Sequence, residues 1–201
     1  MTGKTIEILD NDVLLGISAI DENMELPSSQ PSLWLEKCRH QRRRQEVIAV
    51  HRLLREMTGD ENLVLAHHFS GKPLLSGWNV SVSHTHGHVA AILSRKQNVA
   101  VDIEARSDRV FSIAKRLLRA DEHADNQIDL LSHWCAKETA YKFYSEQRLQ
   151  LDEMRVTLPS ALGQSGQVEN LRTDETLKFD IRITREYVLA YAIENHCSRR
   201  A

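Results

Sequence analysis

The chain is short of cysteine. Its 201 residues contain three, Cys38, Cys135 and Cys197, far apart and without a CxxC pair. That argues against a disulfide framework or a thiolate zinc site and favours reduced thiols. A long apolar run is also missing: nothing approaches the roughly 18–20 residues that a membrane-spanning helix needs. The opening "MTGKTIEILDND" is polar and lacks an apolar signal core. The expectation is a cytoplasmic protein with no membrane partner. There is no excess of one charge either. Lys and Arg number 26 against 28 Asp and Glu, a formal charge of −2. The molecule as a whole is therefore no electrostatic match for nucleic acid, and no aromatic-interleaved basic motif accompanies its basic runs.

The rest of the composition, 41% hydrophobic and 27% charged, suits a globular chain with a real core. Its cations are clustered. One group is "KCRHQRRR" from Lys37 to Arg44, followed by Arg52 and Arg55; another is Lys115, Arg116 and Arg119. Each suits either an anionic ligand, an acidic partner or a solvated helix face. Apolar residues at three- and four-residue steps predict a helix over about 32–58, ending at Gly59, after a Pro- and Ser-rich loop at 24–35. Strands are predicted at "VLLGISAI" (13–20), "WNVSVSH" (78–84), "HVAAILS" (88–94) and "QNVAVDIEA" (97–105). Helices follow over 110–119 and 121–146, then closing strands in "MRVTLP", "LKFDIRIT" and "YVLAYAIE". "SGKPLL" (70–75) is a turn with extended flanks. The fold class is α+β: two similar subdomains, 1–96 and 97–201, each a long helix packed on a small antiparallel sheet.

Two segments carry the chemistry. In "VAVDIE" (99–104), Asp102 and Glu104 lie two apart, hence on one face of a strand, with Val99, Val101 and Ile103 expected to face the core opposite. Paired carboxylates suit a hard cation such as Mg²⁺, or equally a solvated acidic face. In "WCAKETAYK" (134–142), Glu138 and Lys142 lie four apart on one helical face, with Lys137 beside them. This is either a surface ion-pair pattern or a metal ligand beside cations that hold a phosphate.

The two segments together resemble the 4′-phosphopantetheinyl transferase superfamily. Its members pair a small-Gly-small-Asp-x-Glu strand with a later Trp-x-x-Lys-Glu-x-x-x-Lys helix. "GKP" (71–73) and "NVSVSHT" (79–85) match the upstream motifs of its larger two-lobed members, the surfactin-synthetase-activating type. The matches run in order over 71–142, and the basic helix extends the likeness to about residue 39. Two departures stand out: Ala100 replaces the family's glycine, and "FYSEQRL" (143–149) replaces a glycine-rich stretch.

The resemblance implies a monomer acting as a pseudo-dimer. It implies transfer of the phosphopantetheine arm of coenzyme A to a serine of an apo acyl or peptidyl carrier protein, with release of 3′,5′-ADP. Asp102, Glu104 and Glu138 would hold Mg²⁺ or Mn²⁺, and Lys142 would neutralise the pyrophosphate. Lys72, Pro73, Ser83 and His84 would contact the coenzyme, with Arg44 a candidate for its 3′-phosphate. Lys137 is implied either at the coenzyme or in a pair with acids, and Glu122 either as an active-site acid or as a helix N-terminal acid. Glu138, or a metal-held water, is the candidate base. Arg and Lys over 109–119 would meet an acidic carrier. Of the three histidines in "SHTHGHV" (83–89), only His84 gains a role: a turn at Gly87 breaks the alternation that a metal site would use. The competing readings are a non-catalytic coenzyme A binder and a divalent-metal phosphoesterase.

Overall fold

The computed structural model describes residues 3–10, 12–21, 23, 38, 40–160 and 165–194. The loop and helix start expected over 24–37, together with Lys37, Arg39 and Cys197, lie outside the described residues. The fold is α+β, and the chain divides into two compact units, Met1–Lys96 and Gln97–Ala201.

In the first unit a hairpin of β1 (Lys4–Asp10) and β2 (Val13–Ala19) leads to the helix α1 (Gln41–Thr58). The short strands β3 (Ala66–His67) and β4 (Pro73–Leu74) pair with each other. The strands β5 (Asn79–Thr85) and β6 (His88–Ser94) complete an antiparallel sheet in the order β1-β2-β6-β5. Gly87, at φ 79, turns the chain between β5 and β6, a left-handed conformation that glycine adopts without steric penalty. Gly59, at φ 70, ends α1 and donates its N–H to Arg55 O at 2.7 Å. Apolar residues of α1 (Ala49, Val50, Leu53, Leu54 and Met57) pack on Val80, Val89, Ala91 and Leu93. Gly16 on β2 lets the helix come close: a Cβ there would stand 2.6 Å from Met57 Sδ and 3.0 Å from Leu53 Cδ1.

The second unit opens with β7 (Val99–Ala105), a 3-10 turn (Asp108–Ser112) and the short helix α2 (Ala114–Leu117). The long helix α3 (Gln127–Phe143) follows. A second 3-10 turn (Leu151–Glu153) leads into β8 (Met154–Thr157), β9 (Gly166–Asn170), β10 (Glu175–Ile183) and β11 (Tyr187–Ile193). The sheet order is β7-β11-β10-β9-β8, with antiparallel pairing throughout. The helix expected over 121–146 begins later, because Asn126 caps it, its side chain accepting from Ile128 N at 2.8 Å and Asp129 N at 3.1 Å. The single helix expected over 110–119 is instead a 3-10 turn and one short α-helix. β1 and β9 are additional to the expected strands. β1 has no buried face, Ile6 and Ile8 are exposed, and its alternation is limited to Ile6-Glu7-Ile8.

The core of this unit lies on the other face of β7 from the one expected. Val99, Val101 and Ile103 are buried, but so are Ala100 and Asp102. Across the ladder Ala100, Asp102 and Glu104 pair with Ala192, Ala190 and Val188, three members of the cluster packed under α3. The carboxylate face of β7 is therefore the face that α3 covers.

Because Gly16 sits against Met57 and Leu53, Gly16→Val should destabilise the protein by about 1–3 kcal/mol through overpacking. Urea denaturation would show this as a lowered midpoint with an unchanged slope.

Candidate active site

Each unit holds one group of interest. In the second unit α3 runs antiparallel to β7, and residues 134, 138 and 142, four apart, present one face to it. Trp134 Nε1 donates to Glu104 Oε1 at 3.1 Å. Lys142 Nζ donates to Asp102 Oδ1 at 2.7 Å and to Val101 O at 2.9 Å. Between them Glu138 feels both acids: burial first, then Asp102 and Glu104 against the opposing pull of Lys142, raises its carboxyl to about 7. Cys135 and Thr139 on the adjoining helix face donate to Val188 O and Ala190 O of β11 at 3.5 and 3.1 Å. The Cys135 thiol is pushed well up, by burial and then by Asp102 and Glu104, and so stays protonated.

The donor set Asp102, Glu104 and Glu138 is all oxygen and mutually repulsive, which suits a hard divalent cation. It is not preassembled. Among the described residues no three His, Cys, Asp or Glu side chains form a ready ligand group. Asp102 is drawn to Lys142, and Glu104 to the Trp134 indole. A cation binding here would take over part of the charge that Lys142 now balances.

Glu122 and Lys137 stand apart from this face. Their side chains are 1% and 0% exposed and form an ion pair at 2.7 Å. Lys137 Nζ also donates to Leu117 O at 2.8 Å and Leu151 O at 3.0 Å. All three of its donors are therefore committed, and none is left for a phosphate. Glu122 Oε2 accepts from Arg119 N at 2.9 Å and Oε1 from Val156 N at 2.7 Å. Of the alternatives open for Lys137, the structure shows pairing with an acid. Glu122 is likewise buried, its carboxylate held by Lys137 and two backbone N–H groups.

In the first unit α1 begins against its own dipole. Its first turn holds no acid but carries Arg42, Arg43 and Arg44. Cations at a helix N-terminus are unfavourable, and such an end favours an anion. The buried Glu46 offsets part of this charge. It accepts from Arg42 Nε at 3.3 Å and Arg43 Nη1 at 3.1 Å, and lies 3.3 Å from His84 Nδ1. Arg43 Nη1 also meets His84 Nε2. The arginine beside His84 is therefore Arg43 and not Arg44. The i, i+3 relation to Glu46 turns Arg43 toward β5. Ser83 is buried beside His84 on β5, and Lys72 and Pro73 lie at the β3–β4 turn with Lys72 exposed. Arg43 was one residue from the sequence candidate, and only the helix register distinguishes the two.

Residues 98–192 match the family model of the 4′-phosphopantetheinyl transferase superfamily, a span that takes in nearly all of the second unit. Comparison with curated proteins gives no match. Phosphopantetheinyl transfer is the chemistry of that superfamily.

Lys137→Met leaves the Glu122 carboxylate buried and unpaired, and should lower stability by about 3–5 kcal/mol. Lys137→Met combined with Glu122→Leu should recover much of that loss in urea denaturation. Recovery would separate a structural pair from a ligand contact.

Glu138 predicts a pH dependence. Between pH 4.5, its ordinary value, and about 7 the native carboxyl keeps a proton that the unfolded chain has released. Stability from this group is therefore full below about pH 4.5 and falls as pH rises toward about 7, by at most about 3 kcal/mol. Without divalent cations Glu138→Gln should flatten that slope, measured by denaturation midpoints at pH 5 and 7.5.

Proposed function

We propose that this chain, whose second unit belongs to the 4′-phosphopantetheinyl transferase superfamily, moves the phosphopantetheine arm of coenzyme A onto a serine of an acyl or peptidyl carrier protein. On this reading it is a cytoplasmic, monomeric enzyme of the two-lobed, surfactin-synthetase-activating type. The observation that carries the reading is the row Trp134, Glu138 and Lys142 on α3 set against Glu104 and Asp102 on β7.

The serine oxygen forms a bond to the phosphorus that bears the pantetheine arm. The bond from that phosphorus to the 3′,5′-ADP leaving group breaks, and the serine proton passes to a base. Glu138, or a water held beside it, is the candidate base. Lys142, now on Asp102, is placed to follow negative charge onto the pyrophosphate. Asp102, Glu104 and Glu138 would hold Mg²⁺, or Mn²⁺ in its place. When bound, this ion supplies charge neutralisation and a template for the pyrophosphate oxygens. In the first unit Arg43 and His84 take the 3′-phosphate, and Ser83, Lys72 and Pro73 contact the same coenzyme. Exposed Arg109, Lys115 and Arg116, around the half-exposed Phe111, offer an acidic carrier a basic rim with an apolar centre.

The test is intact-mass analysis of apo carrier proteins incubated with the protein, coenzyme A and Mg²⁺. The expected result is a mass gain equal to the phosphopantetheine arm, lost in Asp102→Ala. Tight coenzyme A binding without any gain on fatty-acid, polyketide and peptide-synthetase carriers would mark a non-catalytic binder instead.

A further inference from the structure

The two lysines of α3 differ in what holds them. Lys137 has a side chain that is 0% exposed, and its ammonium is spent on Glu122, Leu117 O and Leu151 O. Lys142 sits in the last turn of the same helix, and its side chain is 26% exposed. Its ammonium donates to Asp102 Oδ1 at 2.7 Å and to Val101 O at 2.9 Å. An ammonium has three hydrogens, so β7 accounts for two of them.

Asp102 has less freedom. Its side chain is 6% exposed, and the strand around it is buried from Val99 to Ile103. The member of the pair able to swing is therefore the lysine. Its four-carbon stem is flexible, and it is rooted in the last turn of α3, where the helix dipole favours a cation.

The same carboxylate belongs to the oxygen donor set of Asp102, Glu104 and Glu138. Asp102 thus has two claimants, the Lys142 ammonium and the divalent cation that the donor set suits. An ammonium at hydrogen-bond distance from a ligand repels a dication at that ligand. As the pair stands, the ammonium compensates a buried acid that would be costly alone.

We propose that Lys142 is an interlock between metal and coenzyme. In the metal-free protein it is the internal counter-ion of Asp102. A divalent cation binds by displacing its ammonium, which then turns to the diphosphate of the coenzyme. The proposal rests on the phosphopantetheinyl-transfer reading and adds to it how the two ligands affect one another. Either alone binds weakly: the cation competes with the ammonium, and the diphosphate meets an ammonium still held on Asp102. Bound together, each removes the other's cost. By thermodynamic linkage each tightens the other by the same factor.

The experiment is calorimetric titration of Mn²⁺ into the full chain, with and without coenzyme A, for the wild type, Lys142→Met and Lys142→Arg. Without coenzyme, Lys142→Met should bind Mn²⁺ about tenfold tighter than the wild type, a coupling of ordinary size. Lys142→Arg keeps the charge and should stay at the wild-type affinity. Coenzyme A should tighten Mn²⁺ binding about tenfold more in the wild type than in Lys142→Met. Adding Asp102→Asn to Lys142→Met should remove the extra affinity, which ties it to this carboxylate. If Lys142→Met is too unstable to titrate, its urea midpoint gives the same comparison: Mn²⁺ should raise it more than it raises that of the wild type. Equal or weaker Mn²⁺ binding in Lys142→Met would overturn the proposal and leave the transfer reading standing. If neither chain binds Mn²⁺, with or without coenzyme A, the metal site itself fails and this inference with it.

Discussion

The ammonium of Lys137 has no contact with water, and the second unit is arranged around satisfying it. Its three bonds reach the end of α2, the 3-10 turn before β8 and the carboxylate of Glu122. Glu122 in turn holds the backbone N–H groups of Arg119 and Val156. One ion pair therefore ties α2, α3 and the start of β8 together. A buried charge tolerates little misplacement, because each lost bond exposes the full desolvation penalty. Pinning residue 137 also fixes the rotation of α3 about its axis. Residue 138 lies about 100° further round the helix, and that rotation turns Glu138, with Trp134 and Lys142, toward β7.

The carboxylate face is arranged in the opposite sense. Three acids are brought near one another with a single lysine among them, and the strain appears in the raised Glu138. The first unit shows the complementary imbalance: three arginines at the positive end of α1, one buried Glu46 beneath them, and His84 alongside. Neither imbalance serves the stability of its own unit. A region of excess negative charge suits a dication, and one of excess positive charge suits phosphate.

Much of this was legible in the sequence where the signal is local. The i, i+4 spacing of Trp134, Glu138 and Lys142 puts them on one face of any helix, and the alternation of Asp102 and Glu104 puts them on one face of any strand. The strand pair on either side of Gly87 follows from alternation and a turn residue. Other features were not legible. Among the described residues β1 pairs with β2 and shows no buried face, so its short Ile6-Glu7-Ile8 alternation gives little to set it apart from loop. Val99, Val101 and Ile103 read as the core side, yet the unit's main cluster lies on the side of Ala100 and Asp102, because α3 returns over that face.

The sequence by itself determined the fold class and the faces on which Asp102, Glu104, Glu138 and Lys142 lie, because hydrophobic periodicity and fixed spacings are properties of a single segment. Tertiary structure decided between neighbours. Lys137 and Glu138 are adjacent and both charged, but one is locked away on Glu122 while the other faces two acids. Arg43 and Arg44 are equivalent as residue types, and only the register that places Glu46 and His84 beside the first distinguishes them. The reason is the same in each case: the environment of a charge is set by partners distant in sequence, and no local pattern encodes which partner arrives.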